Sequence, residues 1–294
     1  MLKNEVHFMN YSPLRYPGGK TKIAPLVNAI MEKAGIEKGT YIEPFAGGCG
    51  VALALLLSNK VDHIVINDMD TSIYAFWYAI LNYTDEFVKL INDTQVTIEE
   101  WYKQKKIFLK HDVKNLLELG FATFFLNRTN RSGILKAGPI GGYNQTGNYL
   151  IDARFNKDNL IKRIERIGQY RDKISLFNLE IKDFINVVLP KYKSNAFVYF
   201  DPPYYKKGHE LYINFFKPED HKGLAKLIQR IKIDWMVTYD NVEEVKVIYR
   251  DREQKIYDLN YSLANKGKNS EIIVLSRDLW LTPEQQKKLK IQIR

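Results

Sequence analysis

The sequence FVYFDPPY, residues Phe197 to Tyr204, is an apolar run that stops abruptly at an acid, two prolines and an aromatic ring. Its first four residues are uncharged and β-branched or aromatic, which is typical of a central strand covered on both faces. The two prolines cannot donate backbone hydrogen bonds and have a fixed φ, so strand pairing has to end there. We therefore expect a carboxylate, a free carbonyl and a ring at the carboxyl end of this strand, where open α/β sheets bind ligands.

Short apolar segments and helix-like runs alternate on both sides of this stretch. The other predicted strands are a short one that begins at residue 41 and further ones at residues 63–68, 174–178, 235–240, about 255–259 and about 271–276. The predicted helices include residues 23–34, 51–57 and 218–232. Such alternation predicts an α/β fold with a mostly parallel sheet, and the two consecutive strands near the end of the chain predict a terminal β-hairpin.

Composition narrows the class of protein. The chain has 294 residues, of which 45% are apolar and 27% charged, as is usual for a globular protein. It contains no apolar run long enough for a membrane span or a signal peptide, so we expect a cytoplasmic protein with no membrane partner. The single cysteine, Cys49, excludes an internal disulfide and a cysteine-based zinc cluster, and we expect no metal site.

The net charge of +10 favours a polyanionic partner. Residues 101–172 contain 14 Lys and Arg but only 6 Asp and Glu, so most of the excess lies in a quarter of the chain. The same region has polar, glycine-rich segments at 127–133 and 138–147, which we expect to be loops without a core of their own. Their Arg, Asn and Gln side chains suit base edges in DNA grooves, and a plain surface loop is the alternative.

Two glycine-rich segments are candidates for ligand loops. The first, LRYPGGKT at 14–21, has Leu14 where a Walker loop needs glycine, so we reject a nucleoside triphosphatase. Tyr16 and Lys20 remain candidates for a ligand-facing loop, with a simple glycine turn before a helix as an equal alternative. The second segment, at 46–50, lies between a predicted strand and an apolar helix, where free backbone amides can meet a polar ligand.

An acid about twenty residues beyond the second glycine segment suits a nucleoside pocket. Asp68 ends a predicted strand, and an acid at that place accepts hydrogen bonds from ribose hydroxyls in strand-helix-strand units. The dinucleotide fingerprint fails, because Leu53 stands where its third glycine would be. Asp70 is the competing acid, and capping of the next helix is the alternative function.

Four motifs of the chain resemble, in order and spacing, those of the Dam-type (D12 class) DNA adenine-N6 methyltransferases. They are RYPGGK at 15–20, EPFAGG at 43–48, ND at 67–68 and DPPY at 201–204. The resemblance implies a class I, S-adenosylmethionine-dependent, Rossmann-like fold with an inserted, mainly helical target-recognition domain. The domains it implies are 1–72 together with 168–294 for catalysis and cofactor binding, and 73–167 for recognition of double-stranded DNA.

The resemblance also implies roles for individual residues. Those expected to bind the cofactor are Tyr16, Lys20, Glu43, Phe45, Gly47, Gly48, Asp68, Asp183, Phe184 and Asp201. Those expected to bind DNA are Asn127, Arg128, Arg131, Ser132, Lys136, Tyr143 and Asn144. GATC-methylating relatives have GYNG where this chain has NRSG at 130–133, and an arginine is usual in place of Lys136. The recognition sequence therefore cannot be assumed to be GATC.

The chemistry of adenine methylation accounts for the end of FVYFDPPY. The exocyclic amine is a poor nucleophile, and the Asp201 carboxylate and Pro202 carbonyl can accept its two N–H bonds and stabilise the charge that develops on nitrogen. Tyr204 would stack on the flipped base. Cytosine-C5 methylation, in contrast, needs a cysteine nucleophile, and Cys49 lies in the glycine segment without a preceding proline.

The sequence thus predicts a site-specific DNA adenine-N6 methyltransferase that flips its target and takes the methyl group directly from S-adenosylmethionine. One alternative is methyl transfer to RNA or to a protein glutamine, although glutamine-modifying enzymes usually have Asn in place of Asp201. A catalytically silent DNA-binding relative is the other. The resemblance admits a cognate restriction endonuclease as a partner, and we expect a monomer.

Overall fold

The computed structural model describes residues 8–15, 20–206, 216–258, 270–289 and 291–294. In these residues, seven strands form one sheet: β1 (Thr40–Glu43), β2 (His63–Asn67), β3 (Ile174–Phe177), β4 (Ala196–Phe200), β5 (Asp234–Asp240), β6 (Gln254–Asp258) and β7 (Ser270–Leu275). Their order across the sheet is β3-β2-β1-β4-β5-β7-β6. The first five are parallel, whereas β7 is antiparallel to both β5 and β6. The predicted α/β fold, with a mostly parallel sheet and an antiparallel pair at the end of the chain, is confirmed.

The stretch FVYFDPPY provides β4, a central strand. β4 lies between β1 and β5, and all five of its residues are buried. Phe197 and Tyr199 belong to the core on one side of the sheet, and Val198 and Phe200 belong to the core on the other. The strand is therefore covered on both faces, as its uncharged sequence predicts.

Ten α-helices of six residues or more surround the sheet in the described part of the chain. They are α1 (Ala24–Lys33), α2 (Gly50–Leu57), α3 (Thr71–Asn82), α4 (Thr84–Asp93), α5 (Ile98–Lys110), α6 (Leu116–Thr129), α7 (Lys157–Gly168), α8 (Pro218–Ile228), α9 (Glu243–Ile248) and α10 (Pro283–Lys288). A shorter helical segment before β4 comprises Ile181–Asp183, Phe184–Val188 and Leu189–Lys191. None of the described helices is both long and apolar enough to cross a membrane.

The predicted helices differ from the observed ones chiefly at their ends. α2 occupies the predicted segment, and every residue after Gly50 is buried because the helix is apolar all round. α8 ends at Ile228, four residues earlier than predicted, because the chain has to turn before β5 begins at Asp234. Helix ends are the part of an element that a hydrophobic pattern defines least well.

The helices α3 to α7 form the segment between β2 and β3. α3 and α6 approach closely at Gly120, where a Cβ atom would lie 2.4 Å from the Ala75 carbonyl oxygen. The rings of Phe76, Phe87 and Phe124 lie 5.4 to 5.9 Å apart and fill the space between the helices. This apolar cluster is continuous with the core under α1 and α2. The division of the chain at residues 72 and 168 therefore remains a proposal.

Candidate active site

The carboxyl ends of β1, β2, β4 and β5 meet at one edge of the sheet. They bring together Glu43, Asp68, Asp201 and Thr238, which lie far apart in the sequence. In a parallel sheet this edge is where ligand-binding side chains collect. The antiparallel strand β7 begins at the same edge and adds Glu271, which pairs in register with Asp240 of β5.

Asp201 follows β4 directly, and about 20% of its side chain is exposed. Its Oδ1 accepts a hydrogen bond from Thr238 Oγ1 at 2.9 Å and lies 3.1 Å from Lys20 Nζ. The Thr238 hydroxyl is in turn 2.7 Å from the Tyr199 hydroxyl, inside the core. No hydrogen bond reaches Oδ2 from another described residue. The carboxylate is therefore held through one oxygen, and the other can accept a hydrogen bond from a ligand.

Lys20 and Tyr204 lie beside this carboxylate, as the sequence predicts for a common site. Lys20 is 8% exposed, and its ammonium contacts both Asp201 and Glu271. Burial acts to lower the pKa of Lys20, but the neighbouring carboxylates outweigh it and raise that pKa well above its ordinary value. The ammonium also lies 5.3 Å from the centroid of the Tyr204 ring. Lys20 is therefore permanently charged at this edge.

The loop after DPPY is fixed by the end of β5. Asp240 accepts hydrogen bonds from the backbone N–H of Tyr205 at 2.8 Å and of Lys206 at 3.2 Å. Sequence reasoning missed Thr238 and Asp240, although both are polar residues in the otherwise apolar segment WMVTYD. It also missed Glu271, because a single acid at the start of an apolar strand carries no distinct signal.

The glycine turn before α2 is held closed by Asp68. The carboxylate accepts hydrogen bonds from the N–H groups of Gly47 at 2.8 Å and Asp70 at 2.9 Å. Burial, with the nearby charge of Asp70, raises the pKa of Asp68 to about 7. Trp77 donates its indole N–H to the Gly47 carbonyl at 2.9 Å. The turn is thus a rigid frame, and the half-exposed Gly48 lies within it.

The two neighbouring acids take different functions. Asp70 caps α3, because its Oδ1 accepts the N–H of Ser72 at 2.8 Å. The capping function considered for Asp68 therefore falls to Asp70. Cys49, in the same turn, is fully buried in the left-handed region at φ 50°, where glycine is the more usual residue.

Glu43 faces into the protein. It is 5% exposed, and its carboxylate accepts the N–H of Ala52 in the first turn of α2 at 3.1 Å. Burial raises its pKa to about 8, and the charge of Asp201 contributes in the same direction. Glu43 is consequently protonated near neutral pH and supports the start of α2.

The substitution Glu43→Gln is expected to reduce the loss of stability between pH 5 and pH 8.5. The folded protein keeps the Glu43 proton up to about pH 8, whereas the unfolded chain releases it near pH 4.5. The stability linked to this proton is complete below pH 4.5 and is lost as the pH rises to about 8. Urea unfolding should show a loss at least about 1 kcal/mol smaller in the variant than in the wild type. The exposed Glu37→Gln is the control, and equal losses in all three proteins would contradict a buried proton on Glu43.

Three further predicted cofactor residues have different surroundings. The ring of Phe45 is half-buried and lies edge-to-face with Phe216, with centroids 6.0 Å apart. Phe184 is fully buried and packs edge-to-face on Phe177 at 5.9 Å. The side chain of Asp183 is exposed, and it forms no hydrogen bond or ion pair with another described residue. The structure thus brings Lys20, Asp201 and Tyr204 into contact, but not these three, while Tyr16 lies outside the described residues.

Asn127, a predicted DNA-binding residue, is 1% exposed and ties two loops together. Its Oδ1 accepts the N–H of Arg15 at 2.7 Å, and its Nδ2 donates to the carbonyl oxygens of Arg15 at 3.0 Å and Gly133 at 2.9 Å. Asn130 is fully buried as well and accepts the indole N–H of Trp101 at 2.7 Å. The expectation of a loop from residue 127 without a core is wrong at its start. α6 extends to Thr129, because these polar side chains are satisfied inside the protein by backbone groups and by the Trp101 indole.

Arg128 is also engaged within the protein. Its Nε donates to the Arg154 carbonyl oxygen at 2.7 Å, and burial together with Arg15 and Arg163 lowers its pKa to about 10. Gly133 has φ 75°, and a Cβ atom there would lie 2.1 Å from the Arg15 carbonyl oxygen. Only glycine can occupy this close approach. The loop after α6 is therefore fixed at its base.

The other predicted DNA-binding residues lie on the exposed part of that loop. They are Arg131, Ser132, Lys136, Tyr143 and Asn144. The Tyr143 ring is stacked on Tyr102 of α5, with centroids 6.3 Å apart and an angle of 19° between the planes. The structure separates these accessible side chains from Asn127 and Arg128, which support the loop from inside. Among the described residues, no group of three or more His, Cys, Asp or Glu is arranged to hold a metal ion.

Residues 16–264 match the family model for D12 class N6 adenine-specific DNA methyltransferases. The chain belongs to this family. The protein is 27% identical over 242 residues to the type II methyltransferase M.MjaIII of Methanocaldococcus jannaschii. The aligned region covers 74% of this chain and 79% of the relative. The protein is 29% identical over 206 residues to the modification methylase StsI of Streptococcus sanguinis, covering 66% of the chain and 28% of that protein. The solved structure of the rRNA methyltransferase aviRa of Streptomyces viridochromogenes has 12% sequence identity to this chain and a TM-score of 0.37. The superposition covers 90% of this chain and 88% of the aviRa chain, and the similarity is too low to add to the assignment.

Family membership and the sheet order together confirm the fold and the reaction class. The protein has the class I methyltransferase fold and is a site-specific DNA adenine methyltransferase. The resemblance stated from its four motifs is thereby confirmed. The roles of individual residues in the reaction are proposed below.

Proposed function

We propose that the protein transfers a methyl group from S-adenosylmethionine to N6 of a flipped adenine in double-stranded DNA, and that Asp201, Pro202 and Tyr204 are its catalytic residues. The observation that carries this proposal is the Asp201 carboxylate at the carboxyl edge of β4. It is held through Oδ1 by Thr238 and Lys20, and Oδ2 has no hydrogen-bond partner among the described residues. A carboxylate fixed in this way is preorganised to accept an N–H bond.

The residues at this edge fit S-adenosylmethionine in two respects. Asp68 uses its oxygens for two backbone N–H groups, but a carboxylate has about four acceptor positions, so it can also accept ribose hydroxyls. Asp201 and Glu271 share one buried ammonium, that of Lys20. A site with more acidic than basic groups favours a sulfonium cation. When bound, S-adenosylmethionine supplies an electrophilic methyl group.

The protein's own groups then act on the amine of the target base. Asp201 Oδ2 and the Pro202 carbonyl accept its two N–H bonds, so that the nitrogen lone pair is free for attack. The positive charge that develops on N6 is stabilised by the carboxylate. N6 then loses one proton along its hydrogen bond to Asp201, which passes that proton to water. Stabilisation of a charge that appears only in the transition state raises kcat.

DNA would be bound by the exposed residues of the loop after α6. Arg131 and Lys136 carry charge for phosphates or guanine edges, and Asn144 carries an amide that suits adenine. The local excess of basic residues favours a strongly salt-dependent affinity. This assignment supports residues 73–167 as the recognition domain, with the rest of the chain as the catalytic and cofactor-binding domain.

The cellular setting is proposed from the relatives. One is a type II methyltransferase and another a modification methylase, which favours a cognate restriction endonuclease for the same DNA site. We further propose that the protein acts as a monomer in the cytoplasm.

The proposed reaction is tested with tritium-labelled S-adenosylmethionine and separate pools of unmethylated DNA, RNA and protein. Label is expected in DNA only, and single-molecule sequencing of that DNA should map N6-methyladenine to one short sequence. Label in RNA or in a glutamine side chain would refute the proposed substrate. Binding of DNA without transfer or cofactor binding would indicate a silent relative.

The substitution Tyr204→Ala is expected to slow transfer to duplex DNA by roughly 5- to 150-fold, because stacking of one base on an aromatic ring contributes about 1–3 kcal/mol. Single-turnover rates at saturating cofactor measure this effect. Tyr83→Ala, which removes an exposed ring far along the chain, is the control. A Tyr204→Ala rate equal to that of the wild type would rule out the stacking contact.

A further inference from the structure

Glu271 is a buried carboxylate that lies outside all four family motifs. It is the second residue of β7 and is 2% exposed. Because β7 is inserted antiparallel between β5 and β6, its first residues lie at the carboxyl edge of the parallel strands. The sheet order therefore delivers an acid from the end of the chain to the site formed by β4.

One oxygen of Glu271 contacts two of the motif residues. Its Oε1 accepts hydrogen bonds from the Lys20 ammonium and, at 2.9 Å, from the Tyr204 hydroxyl. Lys20 Nζ is at the same time 3.1 Å from Asp201 Oδ1. Glu271 thus joins the lysine of RYPGGK to the tyrosine of DPPY. Its other oxygen, Oε2, is buried and has no hydrogen-bond partner among the described residues.

Burial of the Glu271 carboxylate, with one oxygen unpaired among the described residues, costs free energy of folding. A buried carboxylate with one oxygen unsatisfied loses hydration, and one ammonium already pairs with Asp201. Burial raises the pKa of Glu271 from its ordinary value, and Lys20 and Tyr204 oppose that effect. A second acid is not needed to neutralise Lys20, so charge balance alone does not account for it.

Lys20 and the target amine compete for the Asp201 carboxylate, and a second acid can reduce this competition. A target amine has to use the Asp201 carboxylate while Lys20 is bound to the same group. Without another anion, the buried ammonium would hold Asp201 more tightly and weaken it as an acceptor. Glu271 gives Lys20 a second partner, and its bond to the Tyr204 hydroxyl fixes the ring expected to stack on the base.

We propose that Glu271 is a positioning residue for methyl transfer, which holds Lys20 and Tyr204 so that Asp201 can accept the N–H of the target amine. This inference rests on the proposed function. It requires Glu271 to act through the two motif residues and not to contact the substrate itself.

The test compares Glu271→Gln and Tyr204→Phe with the exposed Glu253→Gln as a matched control. Single-turnover methylation of unmethylated plasmid DNA and the KM for S-adenosylmethionine are measured for each protein. Glu271→Gln keeps the shape of the side chain and removes its charge, and we expect the rate to fall roughly 10- to 100-fold, the range typical when a group that orients a metal-binding side chain is replaced. The KM for S-adenosylmethionine should change less than about threefold, because Glu271 is proposed to position groups that act on the target amine and not to bind the cofactor itself. Tyr204→Phe should lower the rate by a smaller factor.

The double variant separates positioning from general damage to the fold. Tyr204→Phe removes the hydroxyl that donates to Glu271, and Glu271→Gln replaces its charged acceptor with a neutral one, so both substitutions weaken the same contact and their effects should multiply less than fully in the double variant. A Glu271→Gln rate within twofold of the wild type, or effects that multiply fully in the double variant, would overturn the inference. If Glu271→Gln does not fold, Tyr204→Phe decides alone, and an unchanged rate overturns the inference. An inactive wild type would instead refute the proposed function itself.

Discussion

Asp201→Ala should reduce methyl transfer by about a thousandfold or more while binding of S-adenosylmethionine survives. The reason is that the carboxylate acts on charge that appears only as the methyl group arrives, and loss of one such group typically lowers kcat by about 10²–10³-fold. Here the loss is expected to be larger, because the group is also an acceptor that orients the amine. Rapid-quench measurement of labelled DNA gives the rate, and calorimetry gives the affinity for the cofactor.

Two controls make the Asp201 result specific. Asp201→Asn keeps the shape and one acceptor oxygen, so it should retain more activity than Asp201→Ala but far less than the wild type. Thr238→Val leaves the carboxylate but removes the 2.9 Å hydrogen bond that orients it, and we expect a loss of about tenfold. Asp201→Ala with more than a tenth of the wild-type rate would refute the assigned role.

Asn127→Ala should lower the free energy of unfolding by about 3 kcal/mol or more, although the sequence alone placed Asn127 on the DNA surface. The side chain satisfies the N–H and C=O of Arg15 and the C=O of Gly133, and all three groups lose their partner in the variant. Each buried group left unsatisfied costs about 1–3 kcal/mol. Urea unfolding followed by tryptophan fluorescence measures the change.

Asn144→Ala is the matched control for Asn127→Ala. Its side chain is exposed on the loop after α6, so its stability should stay within about 0.5 kcal/mol of the wild type. Its affinity for methylatable DNA should fall, whereas Asn127→Ala should weaken DNA binding only as far as it unfolds the protein. Equal stability of the two variants would contradict the structural role of Asn127.

The fold could be predicted from the sequence because its signals are local. β4 is a run of uncharged β-formers closed by two prolines, and α2 is an uninterrupted apolar helix after a glycine turn. The insertion of β7 between β5 and β6 has no local signal, since any antiparallel pair of strands has the same pattern. The order of strands in a sheet depends on pairing between distant residues.

The candidate site was predictable in part for the same reason. Asp201 and Lys20 lie in motifs, and the structure places their charged atoms 3.1 Å apart. Glu271 has no motif and becomes visible only when β7 is placed in the sheet. For Asn127 the sequence indicated a polar residue in a basic region, but could not show that its amide faces the backbone of Arg15. The roles assigned to these residues stay predictions until they are tested.

The hydrogen bonds of Asn127 to Arg15 and Gly133 limit which residues can be varied in order to change the DNA sequence that the enzyme methylates. The Asn127 amide joins the backbone of Arg15, five residues before Lys20, to that of Gly133 in the loop expected to read DNA. A library that randomised the whole polar segment would mostly yield unfolded or inactive proteins. Variation confined to Arg131, Ser132, Lys136, Tyr143 and Asn144, with residues 127, 130 and 133 kept, leaves the hydrogen bonds from Asn127 to Arg15 and Gly133 intact. The exposed residues of the loop can therefore be varied, whereas the buried residues at its base cannot.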